Sequence, residues 1–163
     1  MSDISQLGKK GEAKVKEWLD KPEDGYCFDR IPDQMTGFYG SSNICDFDCY
    51  KYPNMYYIEC KSTWEDRFDF SMISTNQRLG LLDKSKIEGT YGLIIILFAT
   101  YKRAFIIDIN EIQRKLNEGK KSINIRKING WDIKYVEIPT IPNNRQKLLD
   151  YTGKLEDLVK QII

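Results

Sequence analysis

Two short stretches carry the side chains that could do chemistry. "CDFDCY" (45–50) contains Asp46 and Asp48, and "YYIECKST" (56–63) contains Glu59 and Lys61. Tyr56, Tyr57 and Ile58 favour a strand. Alternation along that strand sends Ile58 and Cys60 to one face and Tyr57, Glu59 and Lys61 to the other. The same rule groups Asp46 with Asp48, opposite Cys45, Phe47 and Cys49. If Cys45, Phe47, Cys49, Ile58 and Cys60 form the buried face, three carboxylates and a lysine converge on the other. That arrangement is unfavourable unless a cation neutralises it. Hard divalent ions take oxygen ligands, and Mg²⁺ commonly uses one or two carboxylates with waters and a substrate phosphate. Asp46 and Glu59 would then hold Mg²⁺ or Mn²⁺, which makes a bound water a better nucleophile. Lys61 would orient that water and stabilise charge developing on the phosphate. The plainer alternative is a solvated Glu59–Lys61 pair, which would contribute little. Asp48 reads as an exposed hairpin carboxylate in preference to a ligand.

Composition narrows the chemistry further. The chain has 163 residues and no histidine, which excludes Ser-His and Cys-His triads, nucleases of the HNH type and imidazole metal ligands. A hydrolase built from it must use carboxylates, lysine and a metal. The formal charge of +1 is not that of a general nucleic-acid coat, so contact with nucleic acid would need local basic patches. Cys27, Cys45, Cys49 and Cys60 form no CxxC pair and are expected to be reduced thiols in a cytoplasmic chain. Cys45 and Cys49 would lie about 13 Å apart on a straight strand, too far to share a zinc ion. The longest apolar stretch, "LIIILFA" (93–99), falls well short of a membrane span, and no membrane partner is expected.

The elements that must position these residues follow from periodicity. Ile4, Leu7, Gly11, Val15 and Trp18 recur at helical spacing, predicting an amphipathic helix to Leu19, ended by "DKPEDG". Tyr26–Ile31 is a short strand candidate, and Pro32–Asn43 a polar loop. "ICDFDCYKY" and "MYYIECKS" flank Pro53-Asn54 as a β-hairpin. Ser74–Lys86 is a helix, and "YGLIIILFA" is a strand buried on both faces. Arg103–Ile109 is a strand, "NEIQRKLNEG" a helix, "IKYVEI" a weak strand, and "NRQKLLDYTGKLEDLVKQII" a closing amphipathic helix. The whole chain, 1–163, is expected to be one domain.

Asp46 followed thirteen residues later by Glu59-Cys60-Lys61 resembles the PD-(D/E)XK nuclease signature, with Cys45 where the proline would stand. The order "GKKGEAKVKEWL", "NICDF", "YYIECKST", a helix bearing Gln77 and an apolar strand is similar to the RecU type of Holliday-junction resolvases. "KSINIRKI" (121–128) adds to that likeness, which spans roughly residues 6 to 128. The resemblance implies an α/β, restriction-endonuclease-like fold with a mixed central β-sheet flanked by helices. It implies a metal-dependent endonuclease acting on DNA phosphodiesters, with branched DNA of the Holliday-junction kind favoured over plain duplex. Symmetric cutting of a four-way junction implies a homodimer. The family's long stalk between the first strands has only Pro32–Asn43 as its counterpart here.

The resemblance also assigns residues. The family spacing selects Asp46 over Asp48, a choice that turn geometry leaves open. A first-helix glutamate of the family matches Glu12, which would join the metal site or sit on a solvated helix face, with Gly8 leaving room for a phosphate backbone. The family's helical glutamine matches Gln77. Ser74-x-x-Gln77 equally fits a capping box, and the two roles are compatible because helix N-termini bind phosphates. Lys9, Lys10, Lys120, Lys121, Arg126 and Lys127 are expected DNA contacts, or else part of a solvated face. Two rival readings are a nuclease of another PD-(D/E)XK branch and a DNA-binding module without catalysis.

Overall fold

The computed structural model describes residues 4–32, 43–143 and 149–163. In chain order its elements are α1 (Ile4–Leu19), β1 (Cys27–Arg30), β2 (Phe47–Lys51), β3 (Asn54–Thr63), β4 (Arg67–Asp69) and α2 (Thr75–Ser85). There follow β5 (Thr90–Phe98), β6 (Arg103–Asp108), α3 (Ile109–Asn117), β7 (Ser122–Asn124), β8 (Val136–Glu137), β9 (Thr140–Ile141), β10 (Asp150–Tyr151) and α4 (Leu155–Lys160). Most of the predicted Pro32–Asn43 loop, residues 33–42, lies outside the described residues.

The central sheet has the order β1-β2-β3-β5-β6-β8. Only β3 and β5 run parallel. A parallel pair needs a long crossover, and α2 lies on it. The "YGLIIILFA" stretch supplies β5 at the centre, where Leu93 to Phe98 are all buried. Alternate residues feed two cores, as a strand covered on both faces requires. On one side α1 and α4 cover Tyr56, Ile58, Leu93 and Ile95. On the other, α2 and α3 cover Ile94, Ile96, Phe105 and Ile107. Each such side chain contributes about 1.5–3 kcal/mol by burial, so the parallel pair that carries Glu59 and Lys61 is the most firmly held part of the sheet.

Close backbone approach fixes both helices against the sheet. A Cβ at Gly11 would collide with the Ser62 hydroxyl, so α1 lies directly on β3. A Cβ at Gly80 would collide with the side chain of Ile44, which locks α2 against the segment leading into β2.

Several sequence expectations need correction. The hairpin turn is Tyr52-Pro53, because Lys51 pairs with Asn54. Proline lacks the N–H a ladder position requires, and it sits in the turn instead. Cys45 precedes β2 and packs with Phe68, Phe70 and Leu81 on the α2 side, whereas Phe47 and Cys49 face α1. Among the described residues the closing helix covers only Leu155–Lys160, and residues 144–148 of its predicted span lie outside them. Ahead of it, Asp150 and Tyr151 pair with Ile141 and Thr140, and Gly153 takes φ +86°, a conformation that stops a helix. Tertiary contacts override the helical period there: Tyr151 packs edge-on against Trp18, and Asp150 accepts a 2.8 Å hydrogen bond from Lys14. Lys14 is 3% exposed. The predicted strand 133–138 shrinks to Val136–Glu137, and the short pair β4–β7 carried no sequence signal. No helix of the described residues is long and apolar enough to cross a membrane.

Candidate active site

The shift of the turn by one residue decides which aspartate meets Glu59. Phe47 pairs with Ile58 and Asp48 with Tyr57. Asp46 therefore falls beside Glu59, one position beyond the paired segment. Its N–H donates to the carbonyl of Ile58 at 3.0 Å, and its Oδ2 accepts from the N–H of Cys60 at 2.9 Å. Asp48 lies one pleat away, opposite Asp29 on β1. Burial, with the Asp29 charge added to it, raises the Asp48 pKa.

Glu59 is the unusual group. It is 2% exposed, on the face of β3 that looks toward α2. Its Oε2 accepts from the Gln77 amide at 2.8 Å and lies 3.2 Å from the Lys61 ammonium. Its Oε1 is buried and has no hydrogen-bond partner among the described residues. Burial pushes its pKa up to about 8, and the neighbouring Asp46 carboxylate adds to the rise, while Lys61 acts against it. A carboxylate kept from water with one oxygen unsatisfied is costly by itself. A second carboxylate close by increases the cost, so the pair calls for positive charge at Oε1.

Gln77 is held from two sides. Ser74 caps α2: its hydroxyl accepts from the Gln77 N–H at 3.1 Å, and the Gln77 Oε1 accepts from the Ser74 N–H at 3.0 Å. Since the amide oxygen is engaged by the cap, its NH₂ must face Glu59. Gln77 thus fills the expected capping role while its NH₂ contacts Glu59.

Glu12 stands on the α1 side of the sheet, 3.6 Å from Arg30. Arg30 pairs with Phe47, and Ile31 N–H donates to the Asp46 carbonyl, so Glu12 borders the segment that carries Asp46. The charges of Asp46, Glu59 and Glu12 all bear on Cys60, whose thiol is raised well above its ordinary pKa, chiefly by burial. The fields of three carboxylates therefore meet at Cys60. Even so, no three of the described Asp, Glu or Cys side chains close on one point as a ready metal cage. Asp46 and Glu59 offer two carboxylates, which suits an ion that completes its shell with water and phosphate. The space above Gly8 is open.

The expected DNA contacts divide. Lys9, Lys10, Lys120, Lys121 and Lys127 are exposed on the surface, and Arg126 lies 3.8 Å from Asp66. Two further cations close by in the sequence, Arg114 and Lys115, are committed elsewhere. Arg114 pairs with Glu111 at 2.6 Å and Glu118 at 2.9 Å. Lys115, 4% exposed, pairs with Asp132 at 2.8 Å and Glu118 at 3.1 Å.

The family model for recombination protein U, RecU, matches residues 32–156. No curated protein matches the chain. Among solved structures, Hjc, a Holliday-junction resolvase of the archaeal hyperthermophile Archaeoglobus fulgidus, is similar with a TM-score of 0.50 and 13% identity, covering 72% of this chain and 88% of that one. At that identity the likeness is one of fold, and it bears out the α/β, restriction-endonuclease-like architecture with a mixed sheet between helices.

Proposed function

This chain belongs to the RecU family, and from that premise we propose that it is a divalent-metal-dependent endonuclease that resolves Holliday junctions or related branched DNA. The observation that supports the metal is Glu59: a buried carboxylate, beside Asp46, with Oε1 unpartnered among the described residues. Asp46 and Glu59 would hold Mg²⁺ or Mn²⁺, with Glu12 as a further ligand reached from α1. When bound, such an ion activates water and offsets charge on the phosphate.

The remaining residues divide the work. Gln77 fixes Oε2, leaving Oε1 as the free donor of Glu59. Lys61, its side chain 18% exposed, is positioned to hydrogen-bond an incoming water or a phosphate oxygen, and its positive charge favours the pentacovalent transition state over the ground state. Asp46 is held at the backbone on both sides of Glu59, which limits rearrangement during the reaction. Lys9, Lys10, Lys120, Lys121, Arg126 and Lys127 would grip phosphates of the arms. Cutting both strands of a four-way junction symmetrically requires two such sites, hence a homodimer, acting in the cytoplasm of a bacterial cell or a phage-infected host. The short segment between β1 and β2 favours one second reading, a PD-(D/E)XK nuclease with looser structure preference.

Incubation with end-labelled linear, flapped and four-way DNA, in Mg²⁺ and in EDTA, tests the proposal. Mg²⁺-dependent cutting of the four-way substrate above the others supports it. Equal cutting of linear duplex supports the second reading. Absence of cutting in any metal rejects both.

A further inference from the structure

The chain has three tryptophans, and one behaves unlike the others. Trp18 and Trp131 are buried, and their indole N–H groups donate to the carbonyls of Gly153 at 2.9 Å and Asn124 at 2.7 Å. A buried indole ordinarily finds such a partner. Trp64 is 43% exposed, and no hydrogen bond among the described residues engages its ring.

Its backbone, by contrast, is fixed. The Thr100 hydroxyl donates to the Trp64 carbonyl at 2.7 Å, and the Glu65 N–H donates to the Thr63 hydroxyl at 3.0 Å. Trp64 follows the last residue of β3 and lies three residues beyond Lys61, roughly 10 Å along the strand. It borders an open cavity of about 550 Å³ shared with Thr63, Met72 and Ile4. Met72 lies two residues before Ser74, the residue that caps α2.

Three carboxylates, Glu65, Asp66 and Asp69, and one cation, Arg67, line this cavity. Arg67 pairs with Asp69 at 2.8 Å, and Asp66 is met by Arg126 at 3.8 Å and by the Tyr101 hydroxyl at 2.6 Å. No surplus cation remains to attract a phosphate. What the cavity offers is an aromatic face and an indole donor, which suit a nucleobase. The exposed Lys120, Lys121 and Lys127 flank β7, which pairs with β4 at the cavity rim, so a strand gripped there by its phosphates would pass the ring.

Resting on the nuclease reading above, we propose that Trp64 stacks on a base exposed where the arms of branched DNA meet, and so selects branched over continuous duplex. In continuous duplex every base face is already covered by its neighbours. At a branch point stacking is interrupted, and an aromatic ring can take the vacant position.

Junction binding is measured in EDTA by intrinsic fluorescence and by titration, for the wild type, Trp64→Phe and Trp64→Ala, against four-way and linear DNA of equal length. Junction addition should quench the wild-type emission and leave that of Trp64→Phe unchanged, since Trp18 and Trp131 are shielded. Trp64→Ala should lose roughly tenfold to hundredfold of its junction affinity, with linear-duplex affinity within about twofold and Trp64→Phe retaining most of both. Equal losses on the two substrates, or no loss on the junction, would overturn the proposal; unaltered unfolding temperatures show that the variants are folded. A wild type that binds junctions with this signature but cuts none in Mg²⁺ rejects the nuclease reading and leaves the role of Trp64 standing.

Discussion

Asp46 brackets Glu59 across the β2–β3 pair: its N–H donates to the carbonyl of Ile58, and its carboxylate accepts from the N–H of Cys60. The two residues that flank Glu59 thereby hold one aspartate in place. Asp48, two residues on, meets Tyr57 and Asp29 instead.

This relationship separates two aspartates of identical chemistry. Asp46→Asn should reduce metal-dependent cleavage by at least about a hundredfold, the scale of losing one charge-stabilising group. Asp48→Asn should keep most of the activity and, by relieving its opposition to Asp29, should not lower the unfolding temperature. Single-turnover rates for the two variants check this, and a reversed outcome would move the metal to the Asp48 side of the hairpin.

Gln77 allows cap and site to be told apart, because a capping box accepts glutamate as readily as glutamine. Gln77→Glu should keep α2 capped and the unfolding temperature near that of the wild type. It would also remove the NH₂ donor and set a third carboxylate against Glu59. Metal binding followed calorimetrically without DNA should change, and cleavage should fall at least about tenfold, the cost of losing one charged hydrogen bond. Wild-type behaviour of Gln77→Glu would reduce Gln77 to a helix cap.

The face shared by Glu59 and Lys61 and the doubly buried central strand were legible because period-2 patterning and a continuous apolar run specify faces, whereas the choice of Asp46 came from the family resemblance. The hairpin register was not legible, since one residue in the turn exchanges Asp46 for Asp48. Nor was the fate of residues 150–154, where burial of Tyr151 and the Lys14–Asp150 pair overrode an amphipathic period. Lys115 stands near Arg114, Lys120 and Lys121 in the sequence, yet Asp132 and Glu118 claim it; partners distant in sequence leave no local trace. Trp64 carried no signal at all, because exposure of a single tryptophan depends on the surrounding fold.

Glu59 also links the site to stability. A carboxyl whose folded pKa is raised, here from 4.5 to about 8, is protonated in the native chain where the unfolded chain has already lost its proton. Its contribution to stability is therefore intact below 4.5 and declines as pH rises from there to about 8. In EDTA, Glu59→Gln should consequently gain on the wild type in unfolding temperature across that window, and the gain should shrink when the divalent metal is restored. A pH-independent difference between the two proteins would remove the buried-charge argument.

If Lys120, Lys121, Arg126 and Lys127 touch phosphates, log K for DNA should fall with log salt by about 0.9 per duplex phosphate contact. Reversal of Lys120 and Lys121 to glutamate should weaken binding to linear and four-way DNA alike and flatten the salt slope. Unaltered affinity and slope would assign those lysines to solvent.

The most direct test of the catalytic assignment is cleavage of a labelled four-way junction in Mg²⁺ by Glu59→Gln and Lys61→Ala beside the wild type, with junction binding measured on the same preparations. The catalytic assignment requires both variants to bind the junction about as well as the wild type and to cut it at no more than about a hundredth of its rate. Full-rate cutting by either variant would contradict it.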